Sequence, residues 1–403
     1  MVLKQAYKKI HPIIPYGRQW IDEEDIRAVV DVLRSDWLTT GPKISEFERA
    51  VADYVGAKFA VAVSSGTAAL HAVMKAIGVK PGDEVILPPM TFVATANCIV
   101  FQGATPVFVD VEPDTLLINP AEIESKITGQ TKAIIAVDYA GHPCDYKTLR
   151  DIAERHGLNL IADACHSFGA QYKGRNVGTL ADLSVLSFHP VKHITSGEGG
   201  MVVTDRLEFA RSIQRFRNHG IANDHSQRLS QGTWFYEMVD LGYNYRITDI
   251  QCALGKSQLR KLSGWIKRRR EIACYYDQAF DRIPGLNRLG VKPDVAHAYH
   301  LYALKVDSTR LKIDRDTIFK ELRSRGIGVN VHYIPVYLHP FYRECYGTKP
   351  GLCIEAESAY QKLISLPIFP QMTDNDLDFV VSSFNEILVD YGKQQTGSML
   401  SCG

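Results

Sequence analysis

The stretch SFHPVKHITSGEGG, residues 187–200, places one lysine, Lys192, between an apolar strand-like run and three closely spaced glycines. A lysine there is either an ordinary solvated surface residue or, once burial strips its proton, an amine that condenses with an aldehyde. The glycines suit the second role, because they let backbone approach a ligand and permit positive φ. Three other polar positions lie just past the carboxyl ends of apolar runs, where an open α/β sheet binds its ligands. In VSSGTAAL, Gly66 and Thr67 stand where a strand turns into a helix. Free amides and the helix dipole would seat an anion there, with the Ser65 or Thr67 hydroxyl as a further donor. The same pattern also reads as a plain N-cap. Asp163 follows LNLIA, and a carboxylate so placed needs a cationic or donor partner. A helix end would serve, and so would a protonated ring nitrogen. Ser187 ends LSVLS, from which its hydroxyl would join Thr67 on one anion.

An anion seat, a carboxylate for a pyridinium nitrogen and an aldehyde-binding lysine, in that chain order, make a set that holds pyridoxal 5′-phosphate (PLP). Asp163 would keep the ring nitrogen protonated, so that the ring draws electrons from a carbanion. Phe92, in PPMTFVATAN at another strand-to-helix junction, is placed either to stack on the ring or to pack in the core.

Alternating strand-like and helix-like runs supply the frame for these residues. FAVAV precedes GTAALHAVMKAIG, DEVILPP precedes TFVATANCIVFQG, TPVFVDV precedes a helix near 120–126, and KAIIAVDYA precedes YKTLRDIAERHG and then LNLIADAC. This βαβ alternation predicts a mostly parallel sheet between helices. LSVLSF and GMVVTD read as two strands bracketing the lysine loop. DEEDIRAVVDVLRS predicts an amphipathic helix capped by Asp22, with Ile26, Val29, Val30 and Leu33 on its apolar face. One helical region is expected from about 248 to 280, with the basic run 267–270 as its wet face. The shorter elements beyond it predict a smaller α+β domain. The expected organisation is a large domain over 1–255, a small one over 256–390 and a flexible tail over 391–403.

At 403 residues and 45% apolar composition the chain has material for more than one core. Lys and Arg number 46 against 45 Asp and Glu, so no global field favours nucleic acid or an anionic membrane, and an anionic ligand must be held by local groups. The eight cysteines show no CxxC pair and no disulfide-framework spacing, which fits a reducing, cytoplasmic location. No stretch has the apolar length of a signal peptide or a membrane span. His297 and His300 in HAYHLY are close, but no Cys or carboxylate stands at zinc-like spacing. No metal is expected, and His300 reads as a packed strand residue.

SSGTAAL, PPMTFVATAN, DACHSFGA, GTLADLSVLSFHPVKHITSGEGG and GYNYRITDIQCALG together resemble the DegT/StrS family of PLP-dependent nucleotide-sugar aminotransferases, from about residue 13 to 390. The resemblance implies the α/β, fold type I architecture of aspartate aminotransferase: a large domain with a mostly parallel sheet between helices, and a smaller α+β domain. On matching positions it implies Lys192 as the amine that binds the cofactor and shuttles protons, with Asp163 on the pyridine nitrogen. His166, where many members have glutamine, would lie near the phenolic oxygen. Gly66, Thr67 and Ser187 would hold the phosphate, and Asn244 would reach it from the neighbouring subunit of a homodimer. Substrate contacts would come from Tyr16, from Asp36, Trp37, Leu38 and Thr39, and from His332, Tyr333, Ile334 and Pro335, although each aromatic or histidine reads equally as packing.

Members that remove a sugar hydroxyl carry histidine at the lysine position, so Lys192, with His193 beside it, implies transamination. VDYAGHP, SFHPVK and NVHYIPVY are most similar to the members that work in pseudaminic acid synthesis. That implies L-glutamate and a UDP-4-keto-6-deoxy-N-acetylhexosamine as substrates, with PLP cycling through pyridoxamine 5′-phosphate. A dTDP-linked keto sugar aminated at C3 or C4 is the rival enzymatic reading. A non-catalytic sugar-nucleotide sensor on the same fold is the rival from another class.

Overall fold

The computed structural model describes residues 14–222, 228 and 232–399, with side chains described through Tyr391. Seven strands form the main sheet: β1 (Phe59–Val63), β2 (Glu84–Leu87), β3 (Thr105–Phe108), β4 (Thr131–Val137), β5 (Asn159–Asp163), β6 (Leu183–Ser187) and β7 (Gly200–Thr204). Their spatial order is β1-β7-β6-β5-β4-β2-β3, and only β7 runs antiparallel to its neighbours. The strands are short, continuous apolar runs such as VIL, AIIAV and LIA, buried along nearly their whole length. A parallel sheet covered by helices on both faces requires that pattern. α1 (Glu23–Leu33) packs against the helix Asp249–Leu259, and the covering helices include α2 (Pro42–Val55), α3 (Gly66–Ala76), α4 (Ala94–Phe101), α5 (Tyr146–His156) and α6 (Leu207–Phe216). The helix expected near 120–126 is a short α-turn, Pro120–Ile123, continued by a 3₁₀ turn, Glu124–Lys126.

Three expectations are corrected. Asp22 does cap α1, in a reciprocal box with Asp25. However, the helix buries Asp25 and Val32, while Ile26 and Leu33 of the expected apolar face stay exposed in the single chain. Asp25 is tolerated inside because Lys261 Nζ lies 2.9 Å from it and the Gln258 amide donates to it at 2.6 Å. The region 248–280 is two helices, α7 (Asp249–Leu259) and α8 (Leu262–Phe280), and Lys261 in the break turns back to Asp22 and Asp25. Finally, the basic run is not a wet face throughout. Arg269 is 1% exposed and donates to the carbonyls of Tyr299 (3.1 Å) and Ile368 (2.9 Å).

Arg269 lies between two cores. The first surrounds the main sheet and takes Leu262, Trp265 and Ile266 from α8. The second takes Ile272, Ala273, Tyr276 and Phe280 from the same helix. It packs them on a small antiparallel sheet of β8 (Leu286–Arg288), β9 (Tyr302–Val306) and β10 (Leu363–Leu366) with α9 (Arg315–Ser324) and α10 (Asp374–Met399). Ile14 joins this second core through a bridge to Ile327. The backbone of α10 is helical to Met399, and residues 400–403 of the expected tail lie outside the described residues. No described helix is long and apolar enough to cross a membrane.

Candidate active site

The carboxyl ends of β1, β5 and β6 meet. Asp163 closes β5, paired across to Val137 and Val185, and is 6% exposed. Its Oδ2 accepts from the Thr95 hydroxyl at 2.7 Å and its Oδ1 from the Cys165 amide at 3.3 Å. Thr95 belongs to the first turn of α4, and its hydroxyl is 2.7 Å from that of Thr91. At the end of β1, Ser65 caps α3 by accepting from Ala68 N–H, so the cap reading holds for Ser65. The first intrahelical bond then runs from Ala69 to Ser65, which leaves the Gly66 and Thr67 amides without an acceptor among the described residues. A side chain at Gly66 would put its Cβ 3.1 Å from Ser187 Cβ, 3.3 Å from Ser187 Oγ and 3.5 Å from Cys165 Sγ. The bare glycine therefore lets the helix start press against the end of β6, and the two amides and the Ser187 hydroxyl form one donor cluster at a helix N-terminus.

Lys192 lies in the loop between β6 and β7, its amide bonded to His189 O at 2.9 Å. Its Nζ is 3.5 Å from His300 Nε2. Burial pulls the amine below the usual lysine range, while Cys165 and Asp163 pull the other way. Three neighbouring histidines, His166, His193 and His300, are all driven well below the usual imidazole range by burial, and Lys192 lowers each further. They are neutral rings. The His166 ring centroid lies 4.3 Å from that of His300. His166 Nε2 is 3.1 Å from the Tyr333 hydroxyl. With that phenol donating, the ring proton of His166 sits on Nδ1, a buried donor with no partner among the described residues. Burial raises the Cys165 thiol well above its usual range, so it stays protonated.

The residues expected to touch substrate divide into two groups. Tyr333 reaches His166, the Tyr16 ring lies 5.7 Å from His332, and the strap 332–335 is pinned by a bond from the Tyr139 hydroxyl to His332 O. Pro335 is buried within the strap and Ile334 is exposed. The His332 ring itself is committed inside the protein, with Nδ1 on Ser365 Oγ at 2.9 Å and Nε2 on the Asn330 amide at 3.3 Å. Asp36, Trp37, Leu38 and Thr39 are exposed and lie elsewhere: Thr39 bridges Thr248, and Leu38 O accepts from Asp249 N–H. Asn244, expected to reach the phosphate from a neighbouring subunit, is exposed and bridges Asn218. Phe92 is 59% exposed, with no ring partner among the described residues.

Sequence reasoning missed Thr95, Cys165 and His300. Thr95 stands one turn after Thr91 in the quoted TFVATAN, and a polar position repeated at helical spacing on an apolar helix was the available signal. From the sequence His300 reads as a packed strand residue. It precedes β9, and its ring lies beside Lys192 instead. Among the described residues, no group of three or more His, Cys, Asp or Glu is arranged to hold a metal ion.

These residues suit PLP. The amides and hydroxyl of the donor cluster match a phosphate, the buried carboxylate with spare lone pairs matches a pyridinium N–H, the unpaired His166 Nδ1–H matches a phenolate oxygen, and the desolvated amine matches an aldehyde. The sequence model of the DegT/DnrJ/EryC1/StrS aminotransferase family matches residues 19–385. An uncharacterized protein of Methanocaldococcus jannaschii is 47% identical over 376 residues, covering 93% of this chain and 97% of its own. The spore coat polysaccharide biosynthesis protein SpsC of Bacillus subtilis is 41% identical over 383 residues, covering 94% and 98%. Among solved structures, Helicobacter pylori PseC, an aminotransferase involved in the biosynthesis of pseudoaminic acid, aligns with a TM-score of 0.88 at 32% identity over 94% of this chain and 99% of PseC. The putative sugar aminotransferase Spr1654 of Streptococcus pneumoniae, in its PMP form, aligns with a TM-score of 0.88 at 33% identity over 94% and 100%. DesI, solved in the presence of its TDP-sugar product, gives 0.84 at 28% identity over 96% of both chains. The chain therefore belongs to the DegT/DnrJ/EryC1/StrS aminotransferase family and is a PLP-dependent sugar aminotransferase, its cofactor cycling between the PLP and PMP forms.

Proposed function

We propose that this enzyme moves the amino group of L-glutamate to the C4 ketone of a UDP-4-keto-6-deoxy-N-acetylhexosamine, as in pseudaminic acid synthesis. The likeness to PseC along 94% of the chain supports this substrate most directly. When bound, PLP supplies an aldehyde that takes up the amino group and a ring that draws electrons from the broken C–H bond. In this reading Lys192 Nζ, whose acidity burial increases, takes the proton from the glutamate α-carbon and later returns one at sugar C4. Asp163, braced by Thr95 and the Cys165 amide, faces the ring nitrogen. The amides of Gly66 and Thr67, with Ser187, hold the phosphate, and His166 and Tyr333 orient the ring's oxygen edge. Tyr16 and Tyr333 border the sugar.

A second copy brings Asn244 to complete each site in a homodimer. The large apolar residues exposed in the segment that leads to it, Trp234 (85%), Met238 (66%) and Leu241 (67%), support that pairing, because monomers seldom leave so much apolar surface in water. A dTDP-linked keto sugar is the competing substrate, supported by the likeness to DesI. Incubation with glutamate and a panel of UDP- and dTDP-keto sugars, with products read by mass spectrometry, separates the two. An aminated UDP-4-keto-6-deoxy-N-acetylhexosamine is expected, and amination of dTDP sugars alone overturns the proposal. Lys192→Ala should abolish turnover with the fold intact.

A further inference from the structure

His300 is held against Lys192 by an unusual amount of structure. The segment carrying it docks by backbone bonds on the turn after β4: Ala298 N–H donates to Gly141 O at 2.9 Å and Leu301 N–H to Ala140 O at 3.2 Å. His193 Nε2 lies 3.2 Å from Ala298 O, and Arg269 donates to the carbonyls of Tyr299 at 3.1 Å and His300 at 3.5 Å. Gly141 leaves no room for a side chain, since its Cβ would sit 2.9 Å from the amides of both Tyr299 and His300. Tyr299 adopts φ +47°, in the region that L side chains seldom occupy. The ring packs 4.3 Å from that of His166 and also reaches the lysine amine. Its Nε2 is 3.5 Å from Nζ, and among the described residues no other side chain lies within hydrogen-bond reach of the Lys192 amine. Its Nδ1 has no partner among the described residues.

We infer that His300 is a positioning residue for Lys192: its Nε2 lone pair accepts a hydrogen bond from the ε-amine and fixes where that nitrogen stands whenever it is free. The amine always has an N–H to give, charged or neutral, whereas the ammonium has no lone pair to receive one. The ring proton therefore belongs on Nδ1. The other titratable groups facing Lys192 are Asp163, Cys165, His166, His193 and His332, none of which bonds its nitrogen.

The inference rests on Lys192 as the working amine, and its test is read on the cofactor-free full chain, so it stands apart from the turnover of Lys192→Ala. Acetic anhydride labelling of Lys192 against pH, quantified by peptide mass spectrometry, reports the acidity of the amine. An acceptor favours the ammonium, so His300→Phe should lower the labelling midpoint by about one pH unit, a tenfold change in acidity. His300→Gln, whose amide oxygen accepts in place of Nε2, should recover at least half of that shift. A folded His300→Phe protein with the wild-type profile overturns the inference. A second measurement needs no folded variant: ¹⁵N-histidine spectra of the wild-type protein should place the His300 proton on Nδ1, and a proton on Nε2 overturns the inference equally.

Discussion

Asp163→Asn keeps the shape of the side chain and removes its charge, and the surrounding hydrogen bonds set its cost. Both carboxylate oxygens accept, Oδ1 from the Cys165 amide at 3.3 Å and Oδ2 from Thr95 at 2.7 Å. A carboxamide has one accepting end and one donating end. With its oxygen toward Cys165, its NH₂ faces Thr95, whose hydroxyl turns to accept and donates in turn to Thr91, 2.7 Å away. The reversal passes one surplus hydrogen out to Thr91, so the fold is expected to lose about 1 kcal/mol. Thr95→Val has no such escape. It strands Oδ2 in a buried site and is expected to cost about 1–3 kcal/mol.

The catalytic cost of Asp163→Asn is larger than its cost to the fold. A neutral amide cannot keep the ring nitrogen protonated, and a charge-assisted bond of about 1.5–3 kcal/mol is lost. At 1.36 kcal/mol per decade this is a fall of about 10- to 150-fold in kcat/KM as a minimum. Urea unfolding of the cofactor-free protein gives the first quantity, and steady-state kinetics with glutamate and keto sugar gives the second. The reasoning is refuted by an Asp163→Asn enzyme that keeps kcat/KM within threefold, or by one destabilised more than Thr95→Val.

Gly66→Ala would put a methyl carbon 3.1 Å from Ser187 Cβ. Ser187 must then leave the donor cluster, and PLP affinity by absorbance titration should drop about tenfold while KM for glutamate at saturating cofactor holds. Arg269→Met removes the donor to the buried carbonyls of Tyr299 and Ile368 and should cost about 2–4 kcal/mol in urea unfolding, with an unchanged fold and activity overturning the assignment. His71 is buried among Phe101, Phe216, Tyr243 and Tyr245, and burial lowers its pKa from 6.5 to about 4. Between those values the unfolded chain binds a proton that the folded chain does not. Its contribution is therefore complete above pH 6.5 and is lost as pH falls toward 4, at roughly 1.4 kcal/mol per pH unit. His71→Phe should flatten the pH 7 to 5 stability profile by that slope, and parallel profiles for the two proteins would refute the sign.

The features legible in the sequence are those fixed by a residue's own neighbours along the chain. Asp163, Gly66, Ser187 and Lys192 each follow an apolar strand run or open a helix, and in a parallel sheet all such ends fall on one edge, so their meeting follows from the alternation itself. The capping role of Asp22 is local for the same reason. Other features depend on residues far apart in sequence: Thr95 meets Asp163 across 68 positions, His300 meets Lys192 across 108, and Arg269 meets Ile368 across 99. No periodicity within a helix records which distant carbonyl or carboxylate will lie opposite. That is why an arginine in a basic run was read as solvated, and Ile26 and Leu33 as buried. Composition and alternation determined the sheet and the residues along its edge. Only tertiary packing decided which of them are desolvated and which second partners hold them, because burial and hydrogen-bond pairing are set by the neighbouring elements that the fold brings together.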